Sequence, residues 1–266
     1  MMAAAAQLKN QQQEAVGTIL WLTGWSMPET VFDRLREQLP DFHHIFADYK
    51  EADSLEKMLM LTETAVENFR SSRALNCNTR GYGPLLIGGW SLGGLLALKL
   101  AAKGCVDGLV LFAATARFTR SKEETDLGWP DVFVRQMIKG LMNDRQCVEM
   151  KFRRNMFTGA EWESGLGNSL PGNGSWTASA LIAGLQLLRS EECLSQLPEI
   201  KCPVLLVHGT ADQICPFGAA SELAERVPQA ELLAIPGGGH VPFLGRETDM
   251  AEKLRRWWDE QQNSGY

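Results

Sequence analysis

Histidine is scarce in this 266-residue chain, with four residues at positions 43, 44, 208 and 240. Six cysteines stand at 77, 105, 147, 193, 202 and 215, and no two form a C-x-x-C pair. Neither residue clusters at ligand spacing, so a zinc centre is excluded and no metal is expected. Basic residues fall short of acidic ones, 26 against 32, giving a net charge of -6. A general nucleic-acid binder needs a basic face, so that class is excluded. No apolar run reaches the roughly 18–20 residues of a membrane span. The opening Met1-Met2-Ala3-Ala4-Ala5-Ala6 is short, and its positive charge, Lys9, follows it. A secretory signal wants that charge in front. The expectation is a cytoplasmic protein, off the membrane, with a flexible N-terminus over 1–16 and reduced, mostly buried thiols. Hydrophobic residues at 45% and charged residues at 22% are globular values, which excludes a disordered chain.

What is present is an alternation. Short continuous apolar runs read as buried strands at 17–23, 42–49, 84–88, 108–113, 203–207 and 231–235. Helical patterns lie between them: one opened by Pro28, one from about 53 to 70, and others at 92–103, 219–227 and 247–261. Strands apolar throughout belong to parallel sheets covered on both faces. The fold class is therefore α/β, with a mostly parallel sheet and helices on either side. Residues 119–190 depart from the alternation. They show helical pieces at 132–141 and 144–157, a Gly/Ser/Asn-rich loop at 164–175, and no strand. The expected division is a core of 17–118 and 191–262 with a helical lid inserted at 119–190.

Gly89-Trp90-Ser91-Leu92-Gly93 follows the third strand and opens a helix. This is the pattern of a nucleophile elbow, a strand-to-helix turn so tight that the serine Oγ projects from the sheet. The flanking glycines are expected to crowd each other. The N–H of Leu92, at a helix N-terminus, suits a developing oxyanion. A serine needs a base, and His240 sits on the glycine-rich loop after the last strand, over the end of the sheet where ligands bind. His43 and His44 read as a half-buried strand pair, and His208 as packed or hydrogen-bonded. Asp212, after the fifth strand, can accept from the second nitrogen of His240. Ser91, Asp212 and His240 run in the Ser…Asp…His order of the α/β-hydrolase fold. The loop after the first strand holds Thr23-Gly24-Trp25-Ser26-Met27, and the Trp25 N–H is the candidate second oxyanion donor, its indole a candidate wall for the acyl group.

Over 17–260 the sequence resembles the α/β-hydrolases. Within them it is similar to the pimeloyl-[acyl-carrier protein] methyl ester carboxylesterases of biotin synthesis. The pieces that carry the resemblance are Gly24-Trp25, Gly89-Trp90-Ser91-Leu92-Gly93-Gly94, Ala116-Arg117-Phe118, Trp129-Pro130, Gly184-Leu185-Gln186-Leu187-Leu188 and His240-Val241-Pro242-Phe243. The resemblance implies a Ser91, Asp212, His240 triad, an oxyanion hole of the Trp25 and Leu92 amides, and Phe152 in the lid as a substrate-channel residue. Two features depart from it. Asp48-Tyr49-Lys50-Glu51-Ala52-Asp53-Ser54 stands in place of the family's Gly-x-Gly-x-Ser turn, and no Arg or Lys occurs from 155 to 188.

The expected function is a serine carboxylesterase working through an acyl-enzyme on a small acyl methyl ester, without metal or organic cofactor. Its alternatives are a thioesterase, lactonase or general short-chain esterase with the same triad, or a non-catalytic hydrolase-fold binding protein. Residues 131–154 carry Arg135, Lys139, Arg145, Lys151, Arg153 and Arg154 against Asp131, Asp144 and Glu149, a net of +3 on a negative chain. That placement suits an acidic partner, and with the resemblance it points to an acyl-carrier protein touching Lys151, Arg153 and Arg154. The alternative is an ordinary solvated helix face. A monomer is expected.

Overall fold

The computed structural model describes residues 15–75 and 83–264. Residues 1–14 and Cys77 lie outside them, and with them most of the expected flexible N-terminus. The first strand, β1 (Gly17–Leu22), leads through a turn of 3-10 helix (Glu29–Phe32) to α1 (Asp33–Glu37), then β2 (Phe42–Phe46) and α2 (Leu55–Leu75). The strand β3 (Leu85–Trp90) runs into α3 (Leu92–Ala102), followed by β4 (Gly108–Phe112). A long excursion carries β5 (Thr119–Arg120), β6 (Trp129–Pro130), α4 (Asp131–Leu141), α5 (Arg145–Asn155), α6 (Gly159–Glu163) and α7 (Ala178–Ser190). The chain then returns through β7 (Val204–Gly209), α8 (Phe217–Arg226), β8 (Ala230–Ile235) and α9 (Glu247–Asn263).

Six strands form one sheet in the order β2-β1-β3-β4-β7-β8, every pairing parallel. Every residue of β1, β3, β4 and β7 is buried, as continuous apolar strands covered on two faces require. β2 and β8 are the sheet edges and are only partly covered. Strand order reverses between β1 and β3. In open α/β sheets the crevice beyond such a switch point is where ligands bind. The loops after β1 and β3 are those that carry Trp25 and Ser91.

Two expectations are corrected. The stretch 119–190 contains strands, although small ones: Thr119 pairs with Trp129 and Arg120 with Pro130. Two residues per strand are too few to leave an alternation in the sequence. The thiols are less buried than expected. Among the described residues five are free, with Cys193 and Cys215 buried and Cys105, Cys147 and Cys202 intermediate. Burial pushes the Cys193 and Cys202 thiols up to about 12, so neither is a thiolate near neutrality.

An aromatic cluster ties the sheet to the loop after β8. Phe243 meets Phe112 at a ring-centroid distance of 5.0 Å, Phe32 at 5.4 Å and Trp90 at 5.6 Å. Phe32 in turn stacks on Trp21 at 4.6 Å. Removing such a buried ring costs about 3–5 kcal/mol. Phe243 lies three residues after His240, so core packing limits where that histidine can go.

Candidate active site

Ser91 occupies φ 55°, ψ -114°, a conformation that strains any residue with a Cβ. It is held by the core alone. Its N–H donates to the Phe112 carbonyl at 3.0 Å, and its own carbonyl accepts from Gly94 N–H at 2.9 Å. The neighbouring glycines make the turn possible, with a refinement of the sequence expectation. A Cβ on Gly89 would lie 2.7 Å from the Gly93 carbonyl oxygen, so on that side the two do crowd each other. A Cβ on Gly93 would lie 2.1 Å from the Leu22 carbonyl oxygen. Gly93 is therefore demanded by β1, which brings the loop that follows β1 against the elbow.

The loops after β7 and β8 meet just as closely. A Cβ on Gly209 would come within 2.2 Å of the Gly238 carbonyl oxygen, and Ala211 N–H donates to that oxygen at 3.0 Å. This contact brings Asp212 to His240. The Asp212 Oδ1 accepts from the Ile214 and Cys215 N–H groups at 2.8 and 3.0 Å, which fixes the carboxylate plane. Its Oδ2 accepts from His240 Nδ1 at 2.7 Å. A carboxylate only accepts, so Nδ1 carries a proton, and in the neutral tautomer this leaves the lone pair on Nε2. His240 Nε2 is buried and has no hydrogen-bond partner among the described residues. Ser91 is 5% exposed, Asp212 6% and His240 fully buried.

His208 supports this loop from behind. Its Nε2 donates to the Cys215 carbonyl at 2.7 Å and stands 3.5 Å from Asp212 Oδ2. Burial holds its pKa below the usual histidine value, which favours the neutral ring. His43 is exposed, and His44 is half-buried between Trp21 Nε1 and the Leu39 carbonyl, both at 3.0 Å.

The loop after β1 turns at Gly24–Met27, closed by Met27 N–H on the Gly24 carbonyl at 3.2 Å. Ser26 takes φ 65° at the third position, where such turns favour glycine. Trp25 is 1% exposed, its indole N–H donating to the Leu181 carbonyl of α7 at 2.8 Å. Phe152, on α5, packs edge-on against the Trp25 ring at 4.9 Å. The structure thus brings Trp25 and Phe152 together.

The excursion also grips the histidine loop. His240 N–H donates to the Met156 carbonyl at 2.7 Å. The buried Glu161 carboxylate accepts from Gly239 N–H at 3.1 Å while also accepting from Thr158 N–H at 2.9 Å. Thr158 and Glu161 form a capping box on α6. That T-x-x-E spacing is legible in the sequence; its second duty on Gly239 is not. From the core side, Trp90 Nε1 donates to the His240 carbonyl at 2.8 Å.

The three basic residues expected to meet a carrier protein separate. Lys151 and Arg154 are exposed. Arg153 is half-buried, its guanidinium donating to the Pro171 carbonyl at 2.6 Å and the Leu170 carbonyl at 3.3 Å, and burial lowers its pKa. Its charge is committed to the 164–175 loop. Arg135 pairs with Asp131 at 2.9 Å and Arg145 with Glu149 at 2.7 Å. A cavity of about 540 Å³ lies on one side of α5, lined by Trp129, Phe133, Met137, Val148, Lys151 and Phe152 among others. A second, of about 910 Å³, lies on the other side, bordered by Met150, Arg154 and Trp162 among others.

The family described as serine aminopeptidase S33 matches residues 62–247, which span the elbow, both later loops and the whole excursion. The chain belongs to the α/β-hydrolases. Curated relatives agree. It is 37% identical over 174 residues to the pimeloyl-[acyl-carrier protein] methyl ester esterase of Xanthomonas campestris, across 64% of this chain and 68% of that one. It is 29% identical over 238 residues to the enzyme of that name from Nitrosomonas europaea, across 85% of this chain and 89% of that one. Among solved structures, an esterase from Exiguobacterium antarcticum superposes with a TM-score of 0.73 at 21% identity, covering 92% of each chain. A bromoperoxidase from Bacillus anthracis gives 0.74 at 14% identity, covering 92% and 93%. Those two likenesses establish the α/β-hydrolase fold alone. Among the described residues no helix is long and apolar enough to cross a membrane, and no cluster of ligating side chains is arranged for a metal.

Proposed function

We propose that this α/β-hydrolase is a serine carboxylesterase with Ser91 as nucleophile, His240 as general base and Asp212 as the group that fixes the histidine tautomer. The observation that carries the reading is the 2.7 Å contact from His240 Nδ1 to Asp212, which leaves Nε2 buried and, among the described residues, unpartnered, together with a Ser91 held at positive φ on the strand-to-helix turn. In the first half-reaction Ser91 Oγ attacks the ester carbonyl as its proton passes to His240 Nε2. The tetrahedral oxyanion takes hydrogen bonds from the Trp25 and Leu92 N–H groups, then collapses. The alkoxide leaves with the proton from His240, and an acyl-serine remains. Water, deprotonated by His240, attacks the acyl carbonyl; the acid departs and Ser91 recovers its proton.

The substrate we propose is the one in the relatives' name, a pimeloyl methyl ester carried by an acyl-carrier protein. The apolar cavity beside Phe152 suits a hydrocarbon chain. Lys151 and Arg154, which make no ion pair among the described residues, suit an acidic carrier. Residues 119–190 act as a lid in this reading, since Met156, Glu161 and Leu181 bond to the loops that carry His240 and Trp25. The test is hydrolysis of a panel of acyl methyl esters, free and carrier-bound, with Ser91→Ala as control. Turnover of the carrier-bound ester that disappears in Ser91→Ala supports the reading. Turnover confined to small free esters returns the enzyme to the general esterase class.

A further inference from the structure

Ser26 is the residue after the oxyanion donor, and it sits at φ 65° with a Cβ that disfavours that conformation. Its hydroxyl donates to Oε1 of Glu149 on α5, a residue 123 positions away. Glu149 is 3% exposed. Its other oxygen, Oε2, accepts from Arg145 Nε at 2.7 Å, one turn earlier on the same helix. The Ser26 carbonyl is tied as well, accepting from Gly174 N–H at 3.0 Å. Burying a carboxylate is costly unless it is paired and hydrogen-bonded. Arg145 supplies the pairing, and among the described residues the one hydrogen bond the Glu149 side chain makes outside its own helix is to Ser26.

We propose that Glu149 is a positioning residue for the oxyanion hole. It holds Ser26 in the left-handed conformation and thereby keeps the Trp25 amide aimed at the carbonyl under attack. The inference rests on the reading of Ser91, His240 and Trp25 as the catalytic groups. α5 therefore has two tasks, with Phe152 against the Trp25 ring and Glu149 fixing the turn beneath it. The Arg145 charge serves that carboxylate and is withdrawn from any partner surface.

A glycine at 26 would adopt the turn without help, and this makes the claim separable from a folding role. Glu149→Ala should lower kcat by about 10²-fold, the order expected for losing one oxyanion donor, with KM little changed. Ser26→Gly/Glu149→Ala should recover most of that loss. Glu149→Gln, which keeps an acceptor for Ser26, should stay near wild type. Binding of an alkyl trifluoromethyl ketone, whose hemiketal oxygen needs the same amides, should weaken in step with kcat/KM. If Glu149→Ala does not fold, Ser26→Ala against Ser26→Gly gives the same contrast, with the alanine variant slower. Wild-type kcat in Glu149→Ala, a double variant as slow as Glu149→Ala alone, or Ser26→Ala as fast as Ser26→Gly would overturn the inference. Hydrolysis that persists in Ser91→Ala would instead overturn the reading it rests on.

Discussion

The turn that carries Ser91 and the two loops that face it are supported in different ways. Ser91 is built by the sheet: β3 leads in, α3 leads out, and Phe112, Gly93 and Gly94 set the turn from within the core. The Trp25 and His240 loops also rise from the sheet, but their outer contacts come from the excursion between β4 and β7. Leu181 and Glu149 hold the first, and Met156 and Glu161 hold the second. A well-packed core deforms little, whereas surface helices open locally at lower free energy. In the proposed mechanism the nucleophile is thus held from within the sheet, while the loops of the other proposed groups also depend on contacts from the excursion.

Substitutions in the chemical groups should show the largest effects and should not distinguish the two regions. Ser91→Ala and His240→Ala should each lower kcat by roughly 10⁴–10⁶-fold with folding intact, since nucleophile and base act as a unit. Asp212→Asn should cost about 10⁴-fold by favouring the wrong histidine tautomer. Steady-state hydrolysis of a nitrophenyl ester, with circular dichroism as the folding check, measures all three.

The supporting residues should distinguish them. Gly93→Ala puts a methyl group onto the Leu22 carbonyl and should destabilise the fold by about 3 kcal/mol, losing activity and thermal stability together. Glu161→Ala strips the Gly239 and Thr158 amides of their acceptor. It should lower kcat by about 10–10²-fold through a misplaced His240, with a smaller fall in Tm. Paired Tm and kcat measurements decide; equal losses of stability in both variants would erase the contrast between core and excursion.

Weaker still is the effect of surface charge. Lys151→Glu with Arg154→Glu should raise KM for a carrier-bound ester several-fold at low salt and spare a small nitrophenyl ester, because only the charged partner is steered. A salt titration of kcat/KM checks this, as screening shortens the Debye length to roughly 8–10 Å. The smallest effect is an acid loss of stability away from the site. His44 accepts from Trp21 at Nδ1 and donates to Leu39 at Nε2, so its native ring is neutral and its pKa lies below the ordinary value, chiefly through burial. Below about pH 6.5 the unfolded chain takes up a proton that the native ring resists. Stability is complete above that pH and falls as the pH is lowered. His44→Gln, which can accept and donate in the same places, should flatten the Tm–pH profile below 6.5.

The two regions also differ in how well they could be read. The core announces itself: continuous apolar strands, a glycine-flanked serine, and an aspartate and a histidine after later strands. The sheet and the residues of the proposed triad were legible for that reason. The excursion lacks such signals. Its two-residue strands are too short for periodicity, and α7 is an Ala/Leu/Gly segment with little polar face to mark it. Net charge over 131–154 pointed to an exposed basic face, but Arg153 turns inward to two carbonyls and Arg145 spends its charge on Glu149. Sequence counts charges and does not show which are already paired. The tie from Glu149 to Ser26 joins residues far apart in the chain and had no local pattern at all.

Active-site labelling tests the central assignment most directly. The protein is treated with one equivalent of an alkyl fluorophosphonate, and the adduct is mapped by peptide mass spectrometry while ester hydrolysis is followed in parallel. The account predicts a single adduct on Ser91, loss of hydrolysis in proportion to labelling, and no labelling of Ser91→Ala or His240→Ala. An adduct on another residue, or hydrolysis that survives stoichiometric labelling of Ser91, would contradict it.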